Sequence, residues 1–372
     1  MSISVLIYTV LWIINLFNGT GLDYIYHVTD IAKTVILLLA LVSLLVEKKI
    51  FISIWGFTLY LGLASVFSLV SIFSGYGLMG VKSLWVFVLL YFLAKIEVDE
   101  ESIKQICLIY GFLGTVTLLL YGYTSIFNGW NSNSIAMIGM HSYLVLIIRY
   151  FKLKSMRESI GFITLSAIYM YLLNFTASRS SLIIVAIAVL IILANVRLER
   201  VLLGNLRTLI MLIIPIIVVW MTVKVSESGC MDSLNAWSLS TVQKSFFNGR
   251  DSIWKYGLEV ISQNIIFGTG TLNYYNWHNS AIVCLVGYGV VGYCLWIGVL
   301  KNILSRLSGY INDRYIAGAV SVFVLAYLQK SVEIGLIAES PDILIYLILG
   351  IAYGRRRRLI LDESMEMGYS NE

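Results

Sequence analysis

The sequence has few charged residues and few cysteines. Charged residues make up 13% of the 372 positions and hydrophobic residues 59%, whereas a soluble domain has about 25% charged residues. This shortage excludes a soluble globular protein. The four cysteines form no CxxC pair, and Cys230 stands alone in a predicted loop. We therefore expect neither a disulfide nor a metal site.

Apolar runs long enough to cross a bilayer recur along the chain. A transmembrane helix needs roughly 17–25 apolar residues, and spanning strands would alternate polar and apolar residues, which these runs do not do. The sequence predicts an all-α, polytopic membrane helix bundle with about 11–12 transmembrane helices. The predicted spans are residues 3–17, 31–46, 50–73, 83–96, 105–124, 134–151, 159–176, 180–195, 208–223, 279–300, 315–335 and 341–354.

The basic residues indicate the orientation of the chain. The first span lacks a basic leading region and a small-residue cleavage site, so we predict a retained helix and not a signal peptide. Most of the 26 Lys and Arg residues lie in loops on one side of the predicted spans, which assigns that side to the cytoplasm. The net charge of +5 is therefore a topology signal, and we expect no nucleic-acid partner. The run Arg355 to Arg358 is interpreted as a stop signal at the lipid headgroups.

One predicted external loop is much longer than the others. The expected organisation is transmembrane helices 1–9 in residues 1–223, a large extracytoplasmic loop in 224–278, C-terminal transmembrane helices in 279–354, and a basic then polar cytoplasmic tail in 355–372. Within the loop, the spacing of Ile253, Gly257, Ile261 and Ile265 predicts an amphipathic helix over residues 251–266. We expect this helix to lie on the membrane surface; the alternative is a plug that seals the bundle.

Two arginines lie on the predicted outer side, against the positive-inside bias. Arg179 precedes the span 180–195, and Arg250 precedes the amphipathic helix. A cation at a helix N-terminus costs a few tenths to about 1 kcal/mol, unless an anion binds both the guanidinium and the backbone N–H groups. The pattern favours an anion site, against two lipid-headgroup anchors. The expected helix caps are Ser178 or Ser180 for the first helix and Asp251 or Ser252 for the second.

His278, in the stretch YYNWHNS, is one of only three histidines. It precedes the span 279–300, with Asn279 and Ser280 as possible caps. A positive helix end favours a neutral imidazole, which can accept a proton. We therefore predict a general base on the same face as the two arginines, against a structural role for a lone histidine.

Carboxylates near the last predicted external turn are candidate partners of these cations. Either Glu333 or Glu339 would orient His278 or meet an arginine. The alternatives are a solvated loop end and a Lys330–Glu333 helix pair. Four aromatic residues of the loop are candidates for stacking on sugar rings, or for an interfacial aromatic belt. They are Trp254, Tyr274, Tyr275 and Trp277.

Six short motifs resemble one family in order and spacing. They are NSNSIAM in residues 131–137, T-x-SR in 176–179, GR-x-x-x-W in 249–254, IIFGTG in 265–270, WHNS in 277–280 and VGYGVVGY in 286–293. Together with the many spans and the large late loop, they resemble the O-antigen ligase and polymerase superfamily, which includes the repeat-unit polymerases of O-antigen and capsular polysaccharides. The chain departs from this pattern at Ser132, between Asn131 and Asn133, where relatives often have the proline of Asn-Pro-Asn.

The resemblance implies a multi-pass glycosyltransferase of the bacterial cytoplasmic membrane, whose site faces the periplasm or the cell exterior. Donor and acceptor would be oligosaccharides on undecaprenyl diphosphate, with no metal and no cofactor. Arg179 and Arg250 are implied to hold the diphosphate, and His278 to deprotonate the acceptor hydroxyl, with inversion at the anomeric carbon. A chain-length regulator and a flippase are the implied partner proteins.

The main functional hypothesis is a polymerase that transfers the glycan to the non-reducing end of another lipid-linked repeat unit. The nearest alternative is a ligase that transfers it to another acceptor, such as a lipid A core. A flippase or transporter is a third possibility, but no internal repeat is evident. A nucleotide-sugar glycosyltransferase is disfavoured because no two aspartates are two positions apart. A structural scaffold does not explain the positions of Arg179, Arg250 and His278.

Overall fold

The computed structural model describes residues 2–18, 54–77, 80, 84–127, 130–153, 155–202, 204–228, 231–242, 245–271, 276–333 and 343–369. Three of the predicted site residues lie outside these ranges, namely Tyr274, Tyr275 and Glu339. The predicted span 31–46 also lies outside them.

The described chain is helical, and no strand occurs in these ranges. The helices are α1 (Ile3–Asn18), α2 (Ile54–Phe73), α3 (Trp85–Leu93), α4 (Glu100–Tyr123), α5 (Ser132–Ile147), α6 (Met156–Asn174), α7 (Arg179–Leu193), α8 (Leu198–Leu202), α9 (Asn205–Ser226), α10 (Met231–Val242), α11 (Arg250–Gln263), α12 (Ser280–Ser305), α13 (Arg314–Gln329) and α14 (Ile343–Tyr369). The all-α prediction is confirmed.

Among the described residues, three helices are long and apolar enough to cross a membrane: Glu100–Tyr123, Leu206–Ser226 and Ser280–Tyr310. Shorter apolar helices span Ile3–Leu16, Thr58–Phe73, Arg179–Leu193 and Arg314–Gln329. Several helices also expose large apolar side chains. Examples are Leu108, Phe112, Ile163, Ile183, Leu190, Ile210, Trp220 and Met221. Extended apolar surface of this kind is a mark of membrane contact, so both features are consistent with membrane association.

Some predicted boundaries differ from the observed ones. In the span expected over 83–96, only the nine residues of α3 are helical among the described residues 84–96. The span 315–335 ends early, because the N–H groups of Lys330 and Ser331 bond carbonyls three residues back and close α13 at Gln329. The last helix, in contrast, continues through the basic run.

The long predicted loop contains two helices, α10 and α11, of which only the second was predicted. The helix α11 buries Trp254, Gly257 and Val260 and packs against α9 and α12. The backbone leaves the helix at Asn264, so Ile265 follows the helix and is 54% exposed. The helix is confirmed, and its buried face contacts protein. Of the predicted stripe, Gly257 is buried and Ile253 and Ile261 are partly buried against the core.

The helix α12 is broken at Gly289, which has φ 64° and ψ −167°. The segment 265–270 fills the break and supplies the missing backbone partners. The bonds are Thr269 N to Val286 O (2.7 Å), Gly270 N to Gly287 O (2.8 Å), Val290 N to Ile265 O (2.8 Å) and Val291 N to Ile266 O (3.3 Å). A Cβ on Gly289 would lie 2.2 Å from the Ile266 carbonyl oxygen. The IIFGTG and VGYGVVGY motifs therefore form one packing unit.

Candidate active site

The carboxylate of Glu333, just after α13, lies at the centre of the site. Arg250 Nη2 donates to Glu333 Oε1 at 2.7 Å. His278 Nδ1 lies 3.5 Å from Glu333 Oε2, longer than a normal hydrogen bond. The side chains of Glu333, Arg250 and His278 are 5%, 19% and 27% exposed. A buried anion thus joins two of the three residues predicted for the site.

The first turn of α7 reaches the same carboxylate. Ser180 Oγ lies 3.5 Å from Glu333 Oε1. Arg179, the first residue of α7, is half-buried. Its side chain forms no ion pair with any residue in the described ranges. The structure therefore places the start of the helix that carries Arg179 at the same carboxylate, and leaves the Arg179 guanidinium available to a ligand.

Local backbone geometry positions Arg250 and His278. Gly249 precedes α11 with a left-handed φ of 78°, a conformation that glycine adopts without steric cost. Trp254, one turn into the helix, donates from Nε1 to the Trp277 carbonyl at 2.7 Å. This buried bond fixes α11 to the segment that carries His278.

His278 has a φ of 48°, which is uncommon for a residue with a side chain. The next residue holds it there. Asn279 caps α12 by accepting from the N–H groups of Ala281 (2.8 Å) and Ile282 (3.0 Å). Its Nδ2 donates to the carbonyls of Pro215 (3.0 Å) and Ser331 (2.7 Å). The predicted cap is thus present, and it ties the start of α12 to α9 and to the turn before Glu333.

The two arginine helices begin without a side-chain cap. Ser178 before α7 makes no cap hydrogen bond, and Gly249 before α11 has no side chain that could make one. Ser178 instead donates from Oγ to Ser181 Oγ at 3.1 Å. Asp251 and Ser252 lie inside α11, so the predicted caps are wrong for both helices. Other helices do have such caps, namely α4, α5, α6, α12 and α13.

The sugar-stacking prediction is wrong for Trp254 and Trp277. They are 1% and 0% exposed. Trp254 lies on the buried face of α11, and Tyr256 of the same helix lies against the Trp277 ring at a centroid distance of 5.7 Å. Gly257 contacts this ring as well: a Cβ there would lie 3.1 Å from Trp277 Cε3. Both indoles therefore pack the wall of the site and offer no open face to a sugar.

The sequence leaves three environments open for Glu333: contact with His278 or an arginine, a solvated loop end, or a helix pair with Lys330. The burial of Glu333 contradicts the solvated loop end. Burial alone would raise the pKa of its carboxyl. The neighbouring His278 and the charges of Arg250 and Lys330 lower it more, and the net pKa lies below the ordinary value of a glutamate. The carboxylate is therefore ionised at neutral pH, and it stabilises positive charge on its partners.

The geometry provides a proton acceptor, its orienting carboxylate and two cations at uncapped helix starts. Such a set suits a reaction in which a hydroxyl loses a proton and an anionic group departs. In the described ranges, no three His, Cys, Asp or Glu side chains lie close enough together to hold a metal ion. Neither a scan of protein-family models nor a search of curated proteins finds a match to this chain.

Proposed function

We propose that this chain is a glycosyltransferase that polymerises lipid-linked glycan repeat units at the outer face of the bacterial cytoplasmic membrane. The observation that carries the proposal is the meeting of Arg250, His278 and the first turn of α7 at Glu333. These groups come from parts of the chain that are up to 153 residues apart, and Arg250 and His278 each belong to one of the motifs of the resemblance.

The proposed reaction replaces one bond at the anomeric carbon of the donor sugar. The acceptor hydroxyl oxygen attacks that carbon, and His278 accepts the hydroxyl proton. The bond from the anomeric carbon to the diphosphate oxygen breaks, and the electron pair leaves with undecaprenyl diphosphate. Attack from the opposite side inverts the anomeric configuration.

The diphosphate is the natural ligand for the two arginine helices. Their first-turn N–H groups donate to no side-chain cap, and oriented N–H groups with a guanidinium bind phosphate oxygens well. Glu333 already balances Arg250. Arg179 then supplies the additional positive charge that a departing diphosphate requires.

Glu333 acts as a positioning residue in this scheme. It faces Nδ1 of His278, so Nε2, on the other edge of the ring, is the nitrogen that meets the acceptor hydroxyl. Ionised Glu333 also stabilises the imidazolium that forms when the proton is transferred. The 3.5 Å separation shortens to a hydrogen bond when substrates close the site, as is common for catalytic contacts.

The test is a reconstituted reaction with purified protein and a defined repeat unit on undecaprenyl diphosphate. A polymerase gives a ladder of lengthening lipid-linked glycans, and Arg179→Ala, Arg250→Ala and His278→Ala abolish it. Arg157→Ala serves as the matched control, because it removes an exposed arginine of α6 that is not part of the Glu333 site.

The same assay separates the alternatives. Transfer to a lipid A core without chain growth would identify a ligase with the same donor site. Movement of the lipid-linked substrate across the vesicle membrane without a new glycosidic bond would identify a transporter and would refute the enzymatic proposal.

A further inference from the structure

A second charged cavity lies at the opposite end of α13 from Glu333. Its volume is about 240 Å³. The residues that line it are Glu100, Lys104, Arg149, Tyr150, Glu158, Arg314 and Tyr315. Since Arg314 begins α13 and Gln329 ends it, a rise of 1.5 Å per residue separates the two sites by about 24 Å.

The two arginines of this cavity are held by groups that leave their charge unbalanced. Arg314 donates from Nη2 to the main-chain carbonyl of Arg149. Each guanidinium also lies over an aromatic ring, Arg149 over Tyr150 at 5.1 Å and Arg314 over Tyr315 at 5.0 Å. Neither arginine forms an ion pair within the part of the chain that the structure describes. Carbonyl and ring contacts fix a guanidinium in place without neutralising it.

An unsatisfied donor points to a missing ligand. The Nε atom of Arg314 is buried and has no hydrogen-bond acceptor among the described residues. A buried donor without an acceptor costs about 1–3 kcal/mol, so such groups call for an explanation. An anion bound between the two guanidiniums would supply the acceptor.

The carboxylates that line the cavity neutralise only part of the positive charge of its basic side chains. Glu100 accepts from the Tyr315 hydroxyl at 2.7 Å and pairs with Lys104 at 3.3 Å. Glu158 is the other carboxylate of the lining. The lining thus has three basic and two acidic side chains, which leaves one net positive charge.

We propose that this cavity binds a phosphate group, carried by a lipid headgroup or by a soluble phosphate compound. Two adjacent guanidiniums match the several oxygens of a phosphate, and the tyrosine rings that they cover form the wall behind them. The proposal does not depend on the function assigned to the Glu333 site, because the two sites share no residue.

Two binding measurements on the purified full-length protein test the proposal. The first is native mass spectrometry in mixed micelles that contain phosphatidylglycerol or a phosphate-free glycosyl diacylglycerol. The second is thermal unfolding in lipid-free detergent with inorganic phosphate or pyrophosphate. Binding in the first assay alone identifies a lipid headgroup, and stabilisation in the second identifies a soluble phosphate; either result supports the site.

Three variants locate any binding that is seen. Arg149→Gln and Arg314→Gln each remove a charged donor and should weaken binding at least about tenfold. Glu158→Gln removes the competing carboxylate and should strengthen it. Arg157→Gln, on an exposed side chain next to the cavity that does not line it, should leave it unchanged.

Each variant must elute from size exclusion like the wild type, and Glu158→Gln keeps the test decisive even if an arginine variant fails to fold. The proposal is overturned if neither probe binds, if the phosphate-free lipid binds equally well, or if Arg157→Gln weakens binding as much as the cavity variants.

Discussion

Two arginine–carboxylate pairs lie near opposite ends of α13 and look alike at first sight. Arg250 and Glu333 are 2.7 Å apart, with side chains 19% and 5% exposed. Arg355 and Asp313 are 3.0 Å apart, with side chains 14% and 13% exposed. By distance and burial alone, the two pairs would be assigned the same role.

Their other contacts differ. Asp313 also accepts from the backbone N–H groups of Tyr315 (3.0 Å) and Ile316 (3.1 Å). It therefore caps α13 and binds Arg355 at the same time. Glu333 is approached by side chains from three other segments, one of them the imidazole of His278. A carboxylate bonded to backbone is committed to the fold, whereas one surrounded by ionisable side chains controls their charge and position. The comparison therefore predicts that only the Glu333 pair affects activity.

The largest effect is expected from His278→Gln, which keeps a polar side chain but removes the proton acceptor. A general base contributes about 10²–10⁴-fold to a rate, so chain extension in the reconstituted assay should fall by that factor. Thermal unfolding of the variant should match the wild type, because His278 is partly exposed and its contact with Glu333 is long. Loss of less than about tenfold would remove the general-base assignment.

A direct comparison of the two pairs comes from Glu333→Gln and Asp313→Asn. Each change keeps the shape of the side chain and removes one charge-assisted contact, so each should lower the free energy of unfolding by about 1–3 kcal/mol. The initial rate per folded molecule should fall roughly 10–100-fold for Glu333→Gln and should stay within about twofold for Asp313→Asn. Equal losses of activity would mean that Glu333, like Asp313, only supports the fold.

The pH dependence of stability sharpens the same contrast. The pKa of Glu333 is lower in the folded protein than the value of about 4.3 expected in an unfolded chain. Its contribution to stability is therefore present above about pH 5 and is lost as the pH falls through the folded pKa. The wild type should lose more thermal stability between about pH 6 and pH 3 than Glu333→Gln does. Parallel curves for the two proteins would contradict the assignment.

The role of a residue could be predicted from the sequence where that role depends on its immediate neighbours in the chain. Asn279 lies before an apolar run, and its side chain caps α12 as predicted. Arg179 and Arg250 are unusual in the sequence because a cation at a helix start is unfavourable. In the structure, each is the first residue of its helix. Such features depend on a few neighbouring positions, so they can be read without the fold.

Features that depend on long-range packing could not be read in this way. Glu333 is 83 residues from Arg250 in the chain, and an acidic residue after an apolar run more often faces water. The break in α12 at Gly289 requires a backbone segment from residues 265–270 to complete it, and no periodicity reveals which segment that is. Burial of Trp254 likewise depends on the position of the Trp277 carbonyl.

The smallest effect is expected from Trp254→Phe. This change tests whether the Trp254 side chain packs against protein or binds a sugar. Phenylalanine keeps an aromatic ring but cannot donate to the Trp277 carbonyl, so the free energy of unfolding should fall by about 1 kcal/mol. KM for the lipid-linked repeat unit should not change, because the indole is buried.

Trp237→Phe, on an exposed face of α10, is the matched control and should change neither quantity. A raised KM with unchanged stability would restore Trp254 as a sugar contact, and would mean that α11 moves away from Trp277 when substrate binds.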